Sequence, residues 1–309
     1  MTEATAPAPR IVVTGATGFI GTQLLEELAV RGAEVHALSR RASGPSDRGR
    51  VLWHRADLLG DSPAALLAAV RPSHLLHLAW EATPGRYRTA RENYDWVAAT
   101  VRLAWAFYGA GGQSFTLAGS CAEYALPAAV CDEAGTSLAD DCAYAVCKVE
   151  SERLLASLAR DVGARFACGR IFYIYGPAEP AGKLIATICR GLARGEAVPL
   201  TSGADVVDYV FGADVARALA MLALSGLSGP VNIGTGQAVR VRDVATRLGT
   251  IAGRPELLEF GKLLLGREPL RIVAATGRLT SELGYRPRVG LDEGLRACYQ
   301  YWSGPGAHD

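Results

Sequence analysis

The sequence predicts a doubly wound α/β protein, a parallel sheet covered by helices on both faces, with a smaller C-terminal substrate-binding region. Three observations carry that prediction. First, Ile11-Val12-Val13-Thr14 is a short β-branched run that opens straight into Gly15-Ala16-Thr17-Gly18-Phe19-Ile20-Gly21, and Leu24, Leu25 and Leu28 then follow at helical spacing. The three glycines let the backbone turn tightly and approach a pyrophosphate, and the following helix N-terminus offers free N–H groups and its dipole to the negative charge. Second, short apolar runs alternate with helix-length periodic segments up to about Phe172, the rhythm of a parallel sheet buried on both faces. Third, the 309 residues are half hydrophobic, enough to bury one large core or two modest ones.

Taken in order, Glu34 to Ser39 reads as the second strand, and Asp57-Leu58 ends a third. A helix from Ala64 to Val70 leads to a fourth strand, His74 to Trp80. A long helix, Asn93 to Tyr108, precedes the fifth strand, Ser114 to Gly119. Tyr144 to Ala159 is helical in period, and Ala164 to Phe172 is the sixth strand. Beyond Tyr173 the rhythm loosens: Pro177, Pro180 and Gly182 mark a loop, Ile185 to Arg194 a helix, and Val206 to Val210 and Val231 to Ile233 short strands. The expected division is a nucleotide-binding domain over 10–172, with 205–235 returning to it. A substrate-binding region covers 173–204 and 236–303, and 1–9 form a flexible Ala/Pro-rich tail.

Composition narrows the partners. The net charge of +1 lacks the basic excess that nucleic-acid binding needs. No apolar run reaches membrane-spanning length and no hydrophobic leader opens the chain, so the expected location is the cytoplasm, with no membrane partner. Seven scattered cysteines suit reduced thiols, and with five histidines and no zinc-ligand spacing no metal is expected.

Tyr144-Ala145-Val146-Cys147-Lys148 sets a phenol and an ammonium four residues apart on one helical face. A nearby cation stabilises phenolate, which suits proton transfer to or from a carbonyl oxygen. Such pairs arise by chance in many helices; Ser120, at the carboxyl edge where ligands of these sheets sit, raises the weight of this one.

With these pieces the chain resembles the extended short-chain dehydrogenase/reductase family of NAD(P)-dependent epimerase/dehydratase type, particularly its nucleotide-sugar branch. The matching motifs are Thr14 to Gly21, Asp57-Leu58, His77-Leu78-Ala79, Asn93, Ser120 with Tyr124, Tyr144 with Lys148, Arg170 with Tyr175-Gly176-Pro177, Asp208-Tyr209 with Asp214-Val215, and Asn232 to Gly236. The resemblance implies a Rossmann sheet and a Ser120/Tyr144/Lys148 catalytic set. Tyr144 would be the acid/base, Lys148 would lower its pKa and hold the nicotinamide ribose, and Ser120 would bond the reacting oxygen. It also implies a cofactor pocket of Gly15, Thr17, Gly18, Phe19, Ile20, Gly21, Asp57, Leu58, Leu78, Ala79, Trp80, Asn93, Tyr144, Lys148 and Phe172. A homodimer through the two long helices follows from the same resemblance.

The second strand ends in Ser39-Arg40-Arg41 with no carboxylate for a ribose 2′-hydroxyl, and arginine suits a 2′-phosphate, so NADP(H) is expected, with NAD as the alternative. An exchangeable NADPH favours net reduction. The Asp-Glu pair that the 4,6-dehydratases of the family carry after the hydroxyl residue is replaced by Cys121-Ala122-Glu123, which disfavours elimination. Substrate contacts are expected from Trp80 and Arg86 in the loop after the fourth strand, Ser120, Cys121, Ala122, Tyr144, Tyr173, Lys183 and Arg267. Tyr173 stands where relatives carry asparagine, and Val207 where they carry a phosphate-binding arginine. The resulting expectation is an NADPH-dependent 4-ketoreductase of a nucleotide-linked 4-keto-6-deoxyhexose. The alternatives are an NAD-dependent nucleotide-sugar 4-epimerase, a reductase of a non-sugar ketone, and a non-catalytic dinucleotide sensor.

Overall fold

A computed structural model describes residues 8–41, 51–264 and 266–304. Residues 1–7 of the expected 1–9 tail lie outside them. The first half of the chain lays down six strands: β1 (Arg10–Thr14), β2 (Glu34–Ser39), β3 (Val51–Arg55), β4 (His74–His77), β5 (Ser114–Ser120) and β6 (Arg165–Ile171). Between them run α1 (Phe19–Val30), α2 (Ala64–Val70), α3 (Glu92–Gly109) and α4 (Ala143–Asp161). The second half adds β7 (Tyr173–Tyr175), α5 (Leu184–Arg194), β8 (Val198–Leu200), β9 (Val206–Val207), β10 (Tyr209–Phe211), α6 (Gly212–Leu224) and β11 (Gly229–Ile233). It closes with β12 (Val239–Arg240), α7 (Val241–Ala252), β13 (Leu258–Phe260), β14 (Arg271–Ile272) and α8 (Leu291–Ser303).

Seven strands form one parallel sheet in the order β11-β6-β5-β4-β1-β2-β3. The order reverses between β1 and β4, and ligands of such sheets bind in the crevice at that switch point. Strand residues Ile11, Val12, Val13, Leu75, Leu76, Phe115 and Leu117 are buried, and each face of the sheet has its own apolar layer. On one face Leu24, Leu25 and Leu28 of α1 meet Val215, Leu219 and Leu222 of α6. On the other, Leu103 and Phe107 of α3 and Leu155 of α4 cover Phe115 and Phe166. A third core, around Ile185, Ile188, Leu192, Val244, Leu248 and Trp302, belongs to the C-terminal helices.

Most ends fall within two residues of the expected ones, and three larger differences have a visible cause. β3 stops at Arg55, because Asp57 opens a turn in which its carboxylate accepts the Leu59 N–H at 3.2 Å. β4 ends at His77 rather than Trp80, since the Leu78 N–H divides between the Thr14 carbonyl at 3.3 Å and the Thr14 hydroxyl at 3.2 Å, and the Ala79 N–H turns to that hydroxyl at 3.2 Å. Val206 to Val210 splits into β9 and β10, which pair with β12 and β14 and with β7 in small sheets; within 205–235 it is β11 that rejoins the large sheet, with α6 packed on it.

Candidate active site

The glycine turn after β1 is a cradle that side chains would fill. Gly15 has φ +67°, and a Cβ there would lie 2.8 Å from the Ala79 nitrogen. A Cβ on Gly21 would strike the Gly15 carbonyl oxygen and come within 2.8 Å of the Ala16 backbone, so glycine is what lets α1 sit this close to the turn. Gly18 caps α1 with no side-chain bond, leaving the first-turn N–H groups open. Thr17 and Gly18 are exposed and Ile20 is half-buried, whereas the Phe19 ring packs toward Gly176 and Gly212. A dinucleotide pyrophosphate fits this cradle, with Gly15, Thr17, Gly18 and the α1 N-terminus as the groups that would hold it.

The switch point is fixed by a buried chain of hydrogen bonds. The Thr14 hydroxyl accepts from Leu78 and Ala79, so its proton goes to His77 Nδ1 at 2.7 Å, and His77 Nε2–H donates to the Thr100 hydroxyl at 2.8 Å. Burial and the neighbouring Lys148 charge push His77 down to about 3, keeping it neutral. At the outer end of the pocket Ser39 Oγ accepts the Arg41 N–H at 3.1 Å, and Arg40 and Arg41 are exposed with no carboxylate paired to them among the described residues. Asp57 is exposed in its turn, and Leu58 is buried beneath Leu38.

Ser120 is the last residue of β5. Its Oγ accepts the Ala122 N–H at 3.1 Å, while its own N–H donates to Glu123 Oε1 at 2.7 Å, a reciprocal capping box around Cys121–Glu123. The serine Oγ is thereby fixed as an acceptor, which leaves its O–H to donate toward Tyr144. Tyr144 stands in the first turn of α4, its backbone N–H donating to the Arg88 carbonyl at 3.2 Å. Burial pushes the Tyr144 phenol up, and a hydrogen bond from Ser120 works against that shift. One turn on, Lys148 is 3% exposed; its Nζ donates to the Ala118 carbonyl at 2.9 Å and lies 5.9 Å from the Tyr144 ring. Burial pulls the Lys148 pKa down, opposed by Glu123. The fold thus brings Ser120, Tyr144 and Lys148 together at the carboxyl edge of β5.

Glu123 is buried and bonded through Oε2 to Arg170 Nε at 3.1 Å, with Glu152 on the same guanidinium at 3.0 Å. Burial, then Glu152, pushes the Glu123 pKa up against the pull of Arg170. Glu123, Glu152 and Cys168 converge like a metal donor set, but the Arg170 guanidinium already binds both carboxylates.

Several expected contacts are engaged elsewhere. Asn93 is fully buried: its amide donates to the Tyr87 and Ala90 carbonyls at 2.7 and 2.8 Å and accepts the Trp80 indole N–H at 2.8 Å, so it fastens the loop after β4. Arg86 is exposed and paired with Glu92; it is Tyr87 that turns inward, edge-on to Tyr144 at 4.8 Å. Phe172 is buried against Tyr124 in the C-terminal core. Arg267 forms a two-pronged ion pair with Asp205 at 2.7 and 3.0 Å. Tyr173 is 37% exposed, edge-on to Tyr209. Lys183 reaches the Ile174 carbonyl at 3.2 Å, close enough to Glu179 and Cys121 to feel both. Cys121 is buried, and burial pushes its thiol up, which keeps it neutral. Lys183 is one of the expected contacts and does turn inward, whereas for Tyr87 the sequence offers only its place in the loop after β4.

The family model described as "NAD dependent epimerase/dehydratase family" matches residues 11–234, the whole span from the glycine cradle to the end of β11. The chain belongs to this family. It is therefore an enzyme of the nicotinamide-dependent oxidoreductase type. Among family members, it is 28% identical to the UDP-glucose 4-epimerase of Mycolicibacterium smegmatis over 95% of this chain and 98% of that one. It is 26% identical to the GDP-6-deoxy-D-mannose reductase of Pseudomonas aeruginosa, covering 95% and 97%. Among solved structures, MoeE5 in complex with UDP-glucuronic acid and NAD aligns with a TM-score of 0.82 at 32% identity, covering 94% of this chain and 98% of that one. The Thermus thermophilus UDP-glucose 4-epimerase in complex with NAD aligns at 0.83 and 26%, covering 96% and 99%. Among the described residues no helix is long and apolar enough to cross a membrane.

Proposed function

We propose that this enzyme reduces the 4-keto group of a nucleotide-linked 4-keto-6-deoxyhexose, drawing on NADPH. A bound dihydronicotinamide supplies the hydride. The residues of the chain supply the rest: the Tyr144 hydroxyl gives its proton to the carbonyl oxygen as that oxygen gains negative charge, and Ser120 donates a hydrogen bond to the same oxygen. The Lys148 charge favours the phenolate left on Tyr144. Ketone, hydride and proton sum to the secondary alcohol, and bulk water returns the proton to Tyr144.

The observation that carries the choice of NADPH is the end of β2. Ser39 is folded back onto the Arg41 N–H, among the described residues no carboxylate is hydrogen-bonded to it, and two exposed guanidinium groups follow. A 2′-phosphate gains charge-assisted bonds there, whereas a bare ribose loses its usual acidic partner. The capped Cys121–Glu123 turn adds a second support, since its one carboxylate is committed to Ser120 and Arg170 and has no freedom for water elimination.

Purified protein mixed with dTDP-4-keto-6-deoxyglucose is expected to consume NADPH faster than NADH, followed by cofactor absorbance, and Tyr144→Phe to abolish turnover while cofactor binding persists. Unchanged absorbance with several such keto-sugars overturns the reading. An NAD-dependent 4-epimerase is the second reading, favoured by the relatives of that name; it predicts NAD that copurifies and does not exchange.

A further inference from the structure

Trp80 was expected to face ligands. Its indole instead lies over the buried ammonium of Lys148, with Nζ 3.9 Å from the ring centroid. Everything around the indole holds it there. Its N–H donates to Asn93 Oδ1 at 2.8 Å, its ring stacks on Trp96 at 6.2 Å, and it follows a Leu78-Ala79 step pinned to Thr14.

Lys148 needs such a neighbour. The groups that face it are Glu123 from the turn after β5, Cys168 from β6, His77 from β4 and Tyr144 on its own helix. His77 is neutral and the Cys168 thiol is pushed far up by burial, so neither supplies negative charge. The Glu123 carboxylate is bound to Arg170 and to the Ser120 N–H. Among the described residues Lys148 has no carboxylate within ion-pair distance, and the Ala118 carbonyl is its hydrogen-bond acceptor. A desolvated ammonium with one acceptor is costly, and the negative face of an indole is the compensation in contact with it.

We propose that Trp80 is a positioning residue whose indole face fixes the Lys148 ammonium in place and sustains its positive charge at working pH. This rests on the proposed function only in taking Lys148 as part of the reaction site; the contact itself is independent of any ligand.

The chain has three lysines, Lys148, Lys183 and Lys262, so each side-chain nitrogen is resolved by ¹⁵N NMR of lysine-labelled protein, with Lys148→Met assigning the Lys148 signal. Titrating the full-length protein, Trp80→Leu is expected to lower the Lys148 pKa by about one unit, the size of a desolvated cation–π contact, while Lys183 and Lys262 stay put. Trp80→Phe, which keeps an aromatic face, is expected to restore about half of that shift. In the same preparations the pH above which the affinity for NADPH falls moves down with the Lys148 pKa. A Lys148 titration that is unmoved or raised in Trp80→Leu, or one that moves together with both other lysines, overturns the proposal. Failure of the protein to bind any nicotinamide nucleotide counts against the proposed function and leaves the NMR result standing.

Discussion

Replacing Arg170 by methionine tests how the buried charge network supports the reaction site. Arg170 is 2% exposed and lies between Glu123, fully buried, and Glu152, with bonds of 3.0 to 3.2 Å to both. Its guanidinium also stacks on the Tyr124 ring, 4.9 Å from the centroid. Methionine preserves much of the volume but leaves two adjacent carboxylates without their cation. Removing one partner of a buried pair costs about 3–5 kcal/mol. For 309 residues at about 2.1 cal/mol/K per residue, the unfolding entropy is about 0.65 kcal/mol/K, so Tm is expected to fall by about 5–8 °C at pH 8. Glu123 is the group whose proton then matters. Burial already pushes its pKa up, and without Arg170 it rises further, so lowering the pH neutralises it and the gap to the parent narrows toward pH 5. Arg170→Met/Glu123→Gln, which removes one of the stranded charges, is expected to recover part of the lost Tm at pH 8. Scanning calorimetry of the three proteins at pH 5 and pH 8 decides the matter. A loss under 2 °C, or one that does not change with pH, refutes the view that both carboxylates are charged and held by this guanidinium. Because Glu123 also takes the Ser120 N–H, kcat should fall in Arg170→Met more than cofactor affinity does.

Two further outcomes follow from single positions. Gly21→Ala puts a methyl against the Gly15 carbonyl and the Ala16 backbone, an overpacking of about 1–3 kcal/mol that displaces the pyrophosphate cradle; NADPH affinity by fluorescence titration should weaken about tenfold or more, whereas Gly226→Ala, with open space around the added Cβ, should leave it unchanged. Glu179 is 2% exposed, and burial pushes its carboxyl from the ordinary 4.5 to about 7, opposed by Lys183 and the Ala186 N–H. Its native form holds a proton more firmly than its unfolded form, so stability falls as pH rises from about 4.5 to 7, by about 3 kcal/mol in all. Urea denaturation should show Glu179→Gln matching the parent near pH 4.5 and exceeding it above pH 7, and a constant difference across that range would refute this.

Much of the large sheet could be read from residues alone because its signals are local. Ile11 to Val13 is wholly apolar, as a strand buried on both faces requires, and Gly15 and Gly21 sit where only backbone fits. The Tyr144–Lys148 spacing places both groups on one helical face whatever surrounds them. The ends of β3 and β4 depart from the local apolar pattern for one shared reason. Asp57 and Thr14 capture backbone N–H groups with side-chain oxygens, and for Thr14 the capture depends on a strand more than sixty residues away.

What the sequence determined by itself was the doubly wound architecture, the glycine cradle after β1 and the phenol and ammonium on one face of α4 to which the proposed proton transfer is assigned, since each follows from spacing along one strand, turn or helix. Tertiary structure alone decided how those groups are supported. It turned Trp80 onto Lys148, committed Asn93 to the loop after β4, brought Tyr87 rather than Arg86 to Tyr144, and set Arg170 between Glu123 and Glu152. These contacts join residues from different strands and helices. Their energies come from desolvation and charge at short range, which chain spacing does not encode.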